Sequence, residues 1–256
     1  MLAFLFCRTV LFRSADVCQC ECRKTFMTYK FPEVKHVIMD EVQNFRDEDG
    51  EWLPEARRLV RSDGREKDPG YLWLFIDNSQ LNHSFKNSFP IESRQVPFVR
   101  LKKVIRNSKR IFDYSMKFIP DEAKSKIELG HDFRGDKVKR EKYAGGERSQ
   151  LSCLKRVLTS LFSEGFREGD IAVLYGKGDC IPSDLFSKLG HITVTAEENS
   201  SNYLVVSTLR MYSGLERPVV VMVDLKQSLP YGSYLDSSTY CAVTRAMVKL
   251  VFIDQN

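Results

Sequence analysis

Short apolar runs alternate with amphipathic and charged stretches along the whole chain. Residues 37–39 (Val-Ile-Met), 71–76 (Tyr-Leu-Trp-Leu-Phe-Ile), 171–174, 192–194, 204–207, 219–223 and 249–253 are three to six residues long, without breakers, and predict buried strands. Residues 2–12 are also apolar, broken by Arg8, and predict a further strand within a 1–30 segment of one or two strands and a basic loop. Between these runs the spacing changes to that of helices. Trp52, Leu53, Ala56, Leu59 and Val60 predict an amphipathic helix over 52–61, and Leu151, Leu154, Val157, Leu158, Leu161 and Phe162 predict one over 147–163. Residues 99–118 carry Leu101, Val104, Ile105, Ile111, Phe112 and Met116 and predict a long basic helix. Shorter helices are expected at 183–189 and 234–247. Residues 120–148 are charged and poor in large apolar groups, so a surface excursion is expected there. Strand alternating with helix argues for an α/β fold with parallel sheets. The strands at 37–39 and 71–76, separated by a helix, form a βαβ unit in this reading.

Composition narrows the class. Hydrophobic residues make up 43% and charged residues 29% of 256, as in a globular chain long enough for two ordinary domains. The net charge of +5 permits a polyanionic partner without requiring one. The 7 cysteines are odd in number and include no Cys-x-x-Cys pair, which suits a reducing compartment with buried thiols. Cys18, Cys20 and Cys22 would share one face of a strand, but a metal site needs a fourth ligand and usually wider spacing. The 2–12 run has no basic segment before it and no small-residue cleavage site after it, and is too short to span a bilayer. Neither secretion nor a membrane is expected.

Four polar stations invite a chemical reading. Asp40-Glu41 ends the first strand, and ligands of open α/β sheets gather at carboxyl ends of strands. One acid of such a pair can hold Mg²⁺, directly or through water, while the other orients or deprotonates an attacking water. Asp77, with Gln80 three residues on, ends the second strand. Arg106 lies in the basic 99–118 stretch. The last station pairs residues 208–217 (Thr-Leu-Arg-Met-Tyr-Ser-Gly-Leu-Glu-Arg) with 240–246 (Tyr-Cys-Ala-Val-Thr-Arg-Ala). There Gly214 permits close backbone approach, Glu216 accepts hydrogen bonds, and Thr244 and Arg245 are expected on a helix beside the final strand. Plainer alternatives stand beside each: two solvated acids ending a strand, Arg106 facing solvent on a basic helix, Arg245 capping a helix end. The basic residues Lys137, Lys139, Arg140 and Lys142 fit a solvated loop or a nucleic-acid contact.

This ordered set resembles the later motifs of superfamily 1 helicases: an acid pair, a strand ending in Asp-x-x-Gln, an arginine opening a second domain, a Ser-Gly-Leu-Glu turn and a Val-Thr-Arg-Ala segment. Arg23-Lys24-Thr25-Phe26-Met27 and Asp40-Glu41-x-x-Asn44-Phe45 are similar, more narrowly, to the helicase-like C-terminal region of the longer Schlafen proteins, over residues 18–256. The resemblance implies two RecA-like, P-loop NTPase-type parallel-sheet domains, a partial one over 1–96 and a second over 97–256, with ATP and Mg²⁺ between them. Asp40 would hold Mg²⁺ through water and Glu41 would be the catalytic base. Gln80 would sense the γ-phosphate. Arg106 and Arg245 would act as arginine fingers, because a guanidinium stays charged and grips phosphate bidentately. Asp77, Gly214, Glu216 and Thr244 would complete the nucleotide contacts, with Glu216 near the ribose or coupled to a bound strand.

One departure is as informative as the match. No Gly-x-x-x-x-Gly-Lys-[Ser/Thr] occurs in the 256 residues; the nearest cluster, Gly176-Lys177-Gly178, lies in the wrong half. That loop supplies the donors that cradle phosphates. The expectation is therefore a C-terminal fragment, short isoform or partial gene product of a Schlafen-like ATP-dependent helicase, truncated at the start of its first domain, exposing apolar sheet surface and unable to hydrolyse ATP alone, with the binding of no cofactor by this chain as the alternative to ATP and Mg²⁺. The rival expectations are an ATP-independent nucleic-acid-binding or regulatory module and a protein-interaction scaffold. The partners expected are single-stranded or structured DNA or RNA, with a homodimer or a protein partner compatible. By resemblance the location is nuclear, with the cytoplasm as the alternative.

Overall fold

The computed structural model describes residues 2–5, 13–14, 17–20, 36–40, 42, 51–60, 70–76, 99–119, 121–176, 181–182, 184–189, 192, 194–196, 200–209, 211–212, 214–225 and 234–256. The chain divides into two compact units, Met1–Phe98 and Val99–Asn256.

Unit 1 contains a five-stranded sheet. Its strands are β1 (Leu2–Leu5), β2 (Arg13–Ser14), β3 (Val17–Cys20), β4 (His36–Met39) and β5 (Leu72–Leu74), in the order β2-β3-β1-β4-β5. Every ladder is parallel except β2 with β3. Helix α1 (Trp52–Leu59) connects β4 to β5, giving the expected βαβ unit. Val37 and Met39 project onto the same side and pack with Trp52, Ala56 and Leu59 of the helix, with Leu72, Leu74 and Ile76 closing the cluster. The expectation that 71–76 would be buried on both sides is corrected. β5 is an edge strand, and alternation sends Tyr71, Trp73 and Phe75 to the other face, where they are 51%, 57% and 45% exposed. His36 stacks on Tyr71 there, at 5.5 Å between ring centroids. Cys18 and Cys20 do lie on a strand; Cys22 is outside the described residues.

Unit 2 is built on six parallel strands: β8 (Lys139–Tyr143), β9 (Ile171–Tyr175), β10 (Val194–Thr195), β11 (Leu204–Thr208), β12 (Arg217–Val223) and β13 (Ala246–Gln255). They run in the order β10-β11-β9-β12-β13-β8. β9 and β12 are buried on both faces, which is why they read as unbroken apolar runs. On one face Ile171, Val173, Val219, Val221, Val251 and Ile253 pack against Leu154, Val157, Leu158 and Leu161 of helix α4 (Glu147–Ser163). On the other, Ala172, Leu174, Val220, Met222, Leu250 and Phe252 meet Ile111, Ala242 and Val243. The exit of α4 is closed by Gly165 at φ 96°. Its N–H donates to the Phe162 carbonyl and that of Phe166 to the Leu161 carbonyl, a left-handed stop that a glycine adopts without Cβ strain.

Three expectations fail in unit 2, each for a local reason. Residues 99–118 are not one helix. A two-stranded parallel ladder of β6 (Lys103–Val104) with β7 (Glu128–Leu129) comes first, and helix α2 is only Lys109–Ser115, entered through Ser108 in an extended conformation. Leu101 and Ile105, assigned to an apolar helix face, are 80% and 76% exposed. Residues 120–148 are not an irregular excursion, for they hold the short helix α3 (Asp121–Lys124), β7 and β8. The charges of β8 are satisfied laterally: Arg140 pairs with Asp254 at 2.7 Å, Glu141 with Arg156 at 3.0 Å and Lys139 with Glu164 at 3.5 Å. Finally, the helix expected over 234–247 ends at Val243, as α6 (Tyr234–Val243), and β13 already begins at Ala246. The short helix at 183–189 is α5 (Leu185–Lys188). No described helix is long and apolar enough to cross a membrane.

Candidate functional site

Three segments that are far apart in sequence meet at one edge of unit 2, the amino ends of β12 and β13. The register sets this edge: Arg217, first residue of β12, lies opposite Ala246, first of β13. The chain reaches β12 through a turn after β11. There Thr208 accepts the Met211 N–H on its Oγ1 at 3.1 Å and the Tyr212 N–H on its carbonyl at 2.9 Å. Gly214 then sits at φ 78°, a conformation that side chains with a Cβ rarely adopt, and turns the chain into Leu215 and Glu216. The chain reaches β13 through the turn at Thr244 and Arg245. Thr244 and Arg245 are thus not on the helix, as expected, but immediately beyond its end.

Arg106 arrives at this edge from the segment before α2. Its guanidinium forms an ion pair with Glu216 at 3.0 Å, with side chains 39% and 35% exposed. Arg245 behaves differently. It is 1% exposed, and its Nη1 donates to the Leu215 carbonyl at 3.4 Å, so it lies beneath the turn that carries Glu216. The Thr244 hydroxyl is within hydrogen-bonding reach of the Tyr240 and Cys241 carbonyls, at 3.0 and 3.2 Å, where it closes the end of α6. The structure therefore brings Arg106, Gly214, Glu216, Thr244 and Arg245 into one neighbourhood, with Arg106 and Glu216 facing solvent and the other polar groups turned inward.

Residues without an assigned role in the sequence complete the site. Asn107 is 3% exposed, and its Nδ2 donates to the Thr244 carbonyl at 2.9 Å and the Ala246 carbonyl at 2.7 Å. Arg217 donates from Nη1 to the Gly169 carbonyl and from its backbone N–H to the Arg245 carbonyl at 3.1 Å. Tyr212 is wholly buried. Its hydroxyl is pushed up to about 12, first by burial, with Arg217 and Arg245 pulling the other way and Glu216 adding to the rise. Arg106, Arg217 and Arg245 thus set three guanidiniums against the single Glu216 carboxylate. A phenol kept neutral and a cluster rich in guanidinium can hold an anion. Asn107 has a local signal, an Asn-Ser pair directly before the short helix α2, but the helical spacing over 99–118 masks it.

In unit 1, Asp40 follows directly on β4 and is partly buried. Its strand end is fixed by Phe75 N–H donating to the Met39 carbonyl at 2.8 Å and Val42 N–H donating to the Phe75 carbonyl at 3.0 Å. A carboxylate at that position suits a hard cation held through water. Glu41, Asp77 and Gln80 are outside the described residues. Among those described, no three His, Cys, Asp or Glu side chains gather as a metal-binding set. Cys153 and Cys241 are buried thiols outside any disulfide.

No protein-family model matches the chain. Among solved structures it is similar to the C-terminal domain of a possible DNA helicase from Lactobacillus plantarum WCFS1, at 17% identity and a TM-score of 0.46, over 59% of this chain and 86% of that one. It is also similar to the Arterivirus nonstructural protein 10 helicase, at 15% identity and a TM-score of 0.44, over 99% of this chain and 47% of that one. The chain therefore spans about half the length of the viral protein. Both likenesses to helicase domains are distant, and a function has to be argued from the site's own residues.

Proposed function

We propose that the chain is a Schlafen-type, superfamily 1 helicase-like protein whose second unit grips the phosphates of a nucleoside triphosphate and whose activity is directed at DNA or RNA. The observation that carries this reading is the meeting of Arg106, Glu216 and Arg245 at one sheet edge. These residues lie more than a hundred positions apart or on separate elements, and they are the ones that the order of the motifs singles out. Arg106 is the phosphate-facing group: its side chain is 39% exposed and permanently charged, and the adjoining Asn107 is anchored on either side of Arg245. Arg245 adds positive charge from beneath and holds the 214–216 turn in place through the Leu215 carbonyl. Asp40 suits the Mg²⁺ that accompanies a triphosphate, and that ion would neutralise phosphate charge when bound. Glu41, Gln80 and Asp77 keep the roles the resemblance gives them, as proposals.

The 256 residues contain no Gly-x-x-x-x-Gly-Lys-[Ser/Thr], so weak triphosphate binding and little hydrolysis are proposed for this chain by itself. Nuclear residence belongs to the same proposal. A second reading, an ATP-independent nucleic-acid-binding module, is favoured by the run from 99 to 110. It exposes Arg100, Lys102, Lys103, Lys109 and Arg110 together with Val99, Leu101 and Ile105.

The test is titration of a fluorescent ATP analogue with Mg²⁺ into the chain and into Arg106→Gln, whose exposed side chain can be replaced without opening the core. Binding that the substitution weakens supports the triphosphate reading. Absence of binding at high micromolar nucleotide, with salt-sensitive binding of a single-stranded oligonucleotide, transfers support to the second reading.

A further inference from the structure

The segment that delivers Arg106 is held by the Asn107 side chain, whose two bonds straddle Arg245, with the Ser108 hydroxyl reaching the Val248 carbonyl at 3.4 Å beyond them. Both N–H groups of the Asn107 amide are used: one on the carbonyl of Thr244, the residue before Arg245, and one on the carbonyl of Ala246, the residue after it. Asn107 is 3% exposed, so water does not compete for these bonds. The neighbouring residue continues the seam, with Ser108 N–H donating to the Met247 carbonyl at 2.7 Å. On the far side of the same turn, Arg217 N–H donates to the carbonyl of Arg245 itself, at 3.1 Å. The peptide groups around Arg245 are thus held from two directions. The Asn107 side chain links them to the backbone next to Arg106.

We infer that Asn107 is a positioning residue for the anion site: by donating to the carbonyls on either side of Arg245, it fixes the root of Arg106 relative to the Arg245 turn, so that both guanidiniums serve one polyphosphate. The inference rests on the phosphate reading of this site and assigns no chemistry to Asn107. Few side chains could replace it. An aspartate has no N–H to give, a leucine of similar size has none either, and a serine is too short to reach two carbonyls. Without the pin, Arg106 keeps its charge and its ion pair with Glu216 but loses the fixed origin that makes a guanidinium fork geometrically selective.

The experiment measures tripolyphosphate binding to the full chain by isothermal titration calorimetry, for wild type, Asn107→Leu, Asn107→Gln, Arg106→Gln and the Arg106→Gln/Asn107→Leu pair. Asn107→Leu is expected to weaken binding about tenfold or more, the equivalent of one charge-assisted hydrogen bond. Asn107→Gln keeps both donors on a longer stem, so it stays folded and serves if the leucine variant does not; it is expected to fall between the two. In the Arg106→Gln background the leucine substitution is expected to change affinity by less than about twofold, because the alignment it disturbs is already gone. Val157→Ala, in the core against α4 and away from the site, is the control: it lowers the melting temperature but leaves affinity unchanged, separating misplacement from general loosening. Wild-type binding that Arg106→Gln weakens but neither Asn107 variant alters overturns the inference alone, as does an undiminished effect in the Arg106→Gln background. A wild type that binds no tripolyphosphate, or an Arg106→Gln that binds as tightly as wild type, overturns the phosphate reading and this inference with it.

Discussion

Replacing Tyr143 by phenylalanine should destabilise the protein at neutral pH and do so progressively less as the solution becomes alkaline. Tyr143 ends β8 and is 6% exposed. Its hydroxyl donates to Asp224 Oδ2 at 2.5 Å, and the same carboxylate accepts from Gln150 Nε2 at 2.7 Å and from the Gln255 N–H at 3.2 Å. Asp224 itself sits at φ 47° where β12 ends, so the network ties the carboxyl end of the central strands to the edge strand. Losing one hydrogen bond to a buried carboxylate costs about 2 kcal/mol. Burial and the bond to Asp224 push the Tyr143 hydroxyl up to about 12 from 10.0. The sign follows from that direction. A folded-state value above the unfolded one means that the folded chain keeps its proton where the unfolded chain has lost it. The contribution is therefore complete below pH 10 and is lost as pH rises towards 12. By pH 11 a two-unit difference removes about 1.4 kcal/mol. The gap between wild type and Tyr143→Phe should fall from about 2 kcal/mol at pH 8 to well under half of that at pH 11. The Tyr212 hydroxyl is likewise pushed up to about 12, but it is common to both proteins and cancels. Urea unfolding followed by far-ultraviolet circular dichroism at the two pH values gives the gap. An equal gap at pH 8 and pH 11 would refute the reasoning.

Two further outcomes are expected. Glu216→Gln removes the carboxylate that neutralises Arg106, and because the pair is about one third exposed its release should raise tripolyphosphate affinity by only about two- to fivefold, read by calorimetry; a loss of affinity would show that Glu216 does not compete with the anion. Gly165→Ala meets no atom within 4 Å but must hold φ 96°, so backbone strain of about 1–2 kcal/mol outweighs the smaller entropy gain in the unfolded chain, and a net loss near 1 kcal/mol should appear in urea unfolding.

The legible parts of the fold are those where one physical rule dominates. β9 and β12 are buried on both faces and so read as continuous apolar runs, and α4 carries an apolar stripe over 17 residues that no other element mimics. Illegible parts owe their structure to partners far away in sequence. β8 reads as a charged loop because Lys139, Arg140 and Glu141 are paired with Glu164, Asp254 and Arg156 rather than with one another. Leu101 and Ile105 mislead because they are apolar and yet exposed, so their helical spacing carries no packing information. The candidate site divides in the same way. Arg106, Glu216 and Arg245 could be picked out by motif order, but the Arg106–Glu216 ion pair and the burial of Arg245 are tertiary facts. The local Asn-Ser signal at Asn107 does not reveal its two bonds, because the carbonyls that accept them lie 137 and 139 positions away.

The central claim is that the amino edge of β12 and β13 holds polyphosphate through Arg106 over the Arg245 turn. Phosphorus nuclear magnetic resonance of Mg²⁺-ATP tests it most directly, since each phosphate of the nucleotide reports separately. The account predicts that the γ-phosphate signal shifts or broadens on adding the wild-type chain and returns to its free position with Arg106→Gln. A γ-phosphate signal that never moves, or one that moves equally with Arg106→Gln, would contradict it.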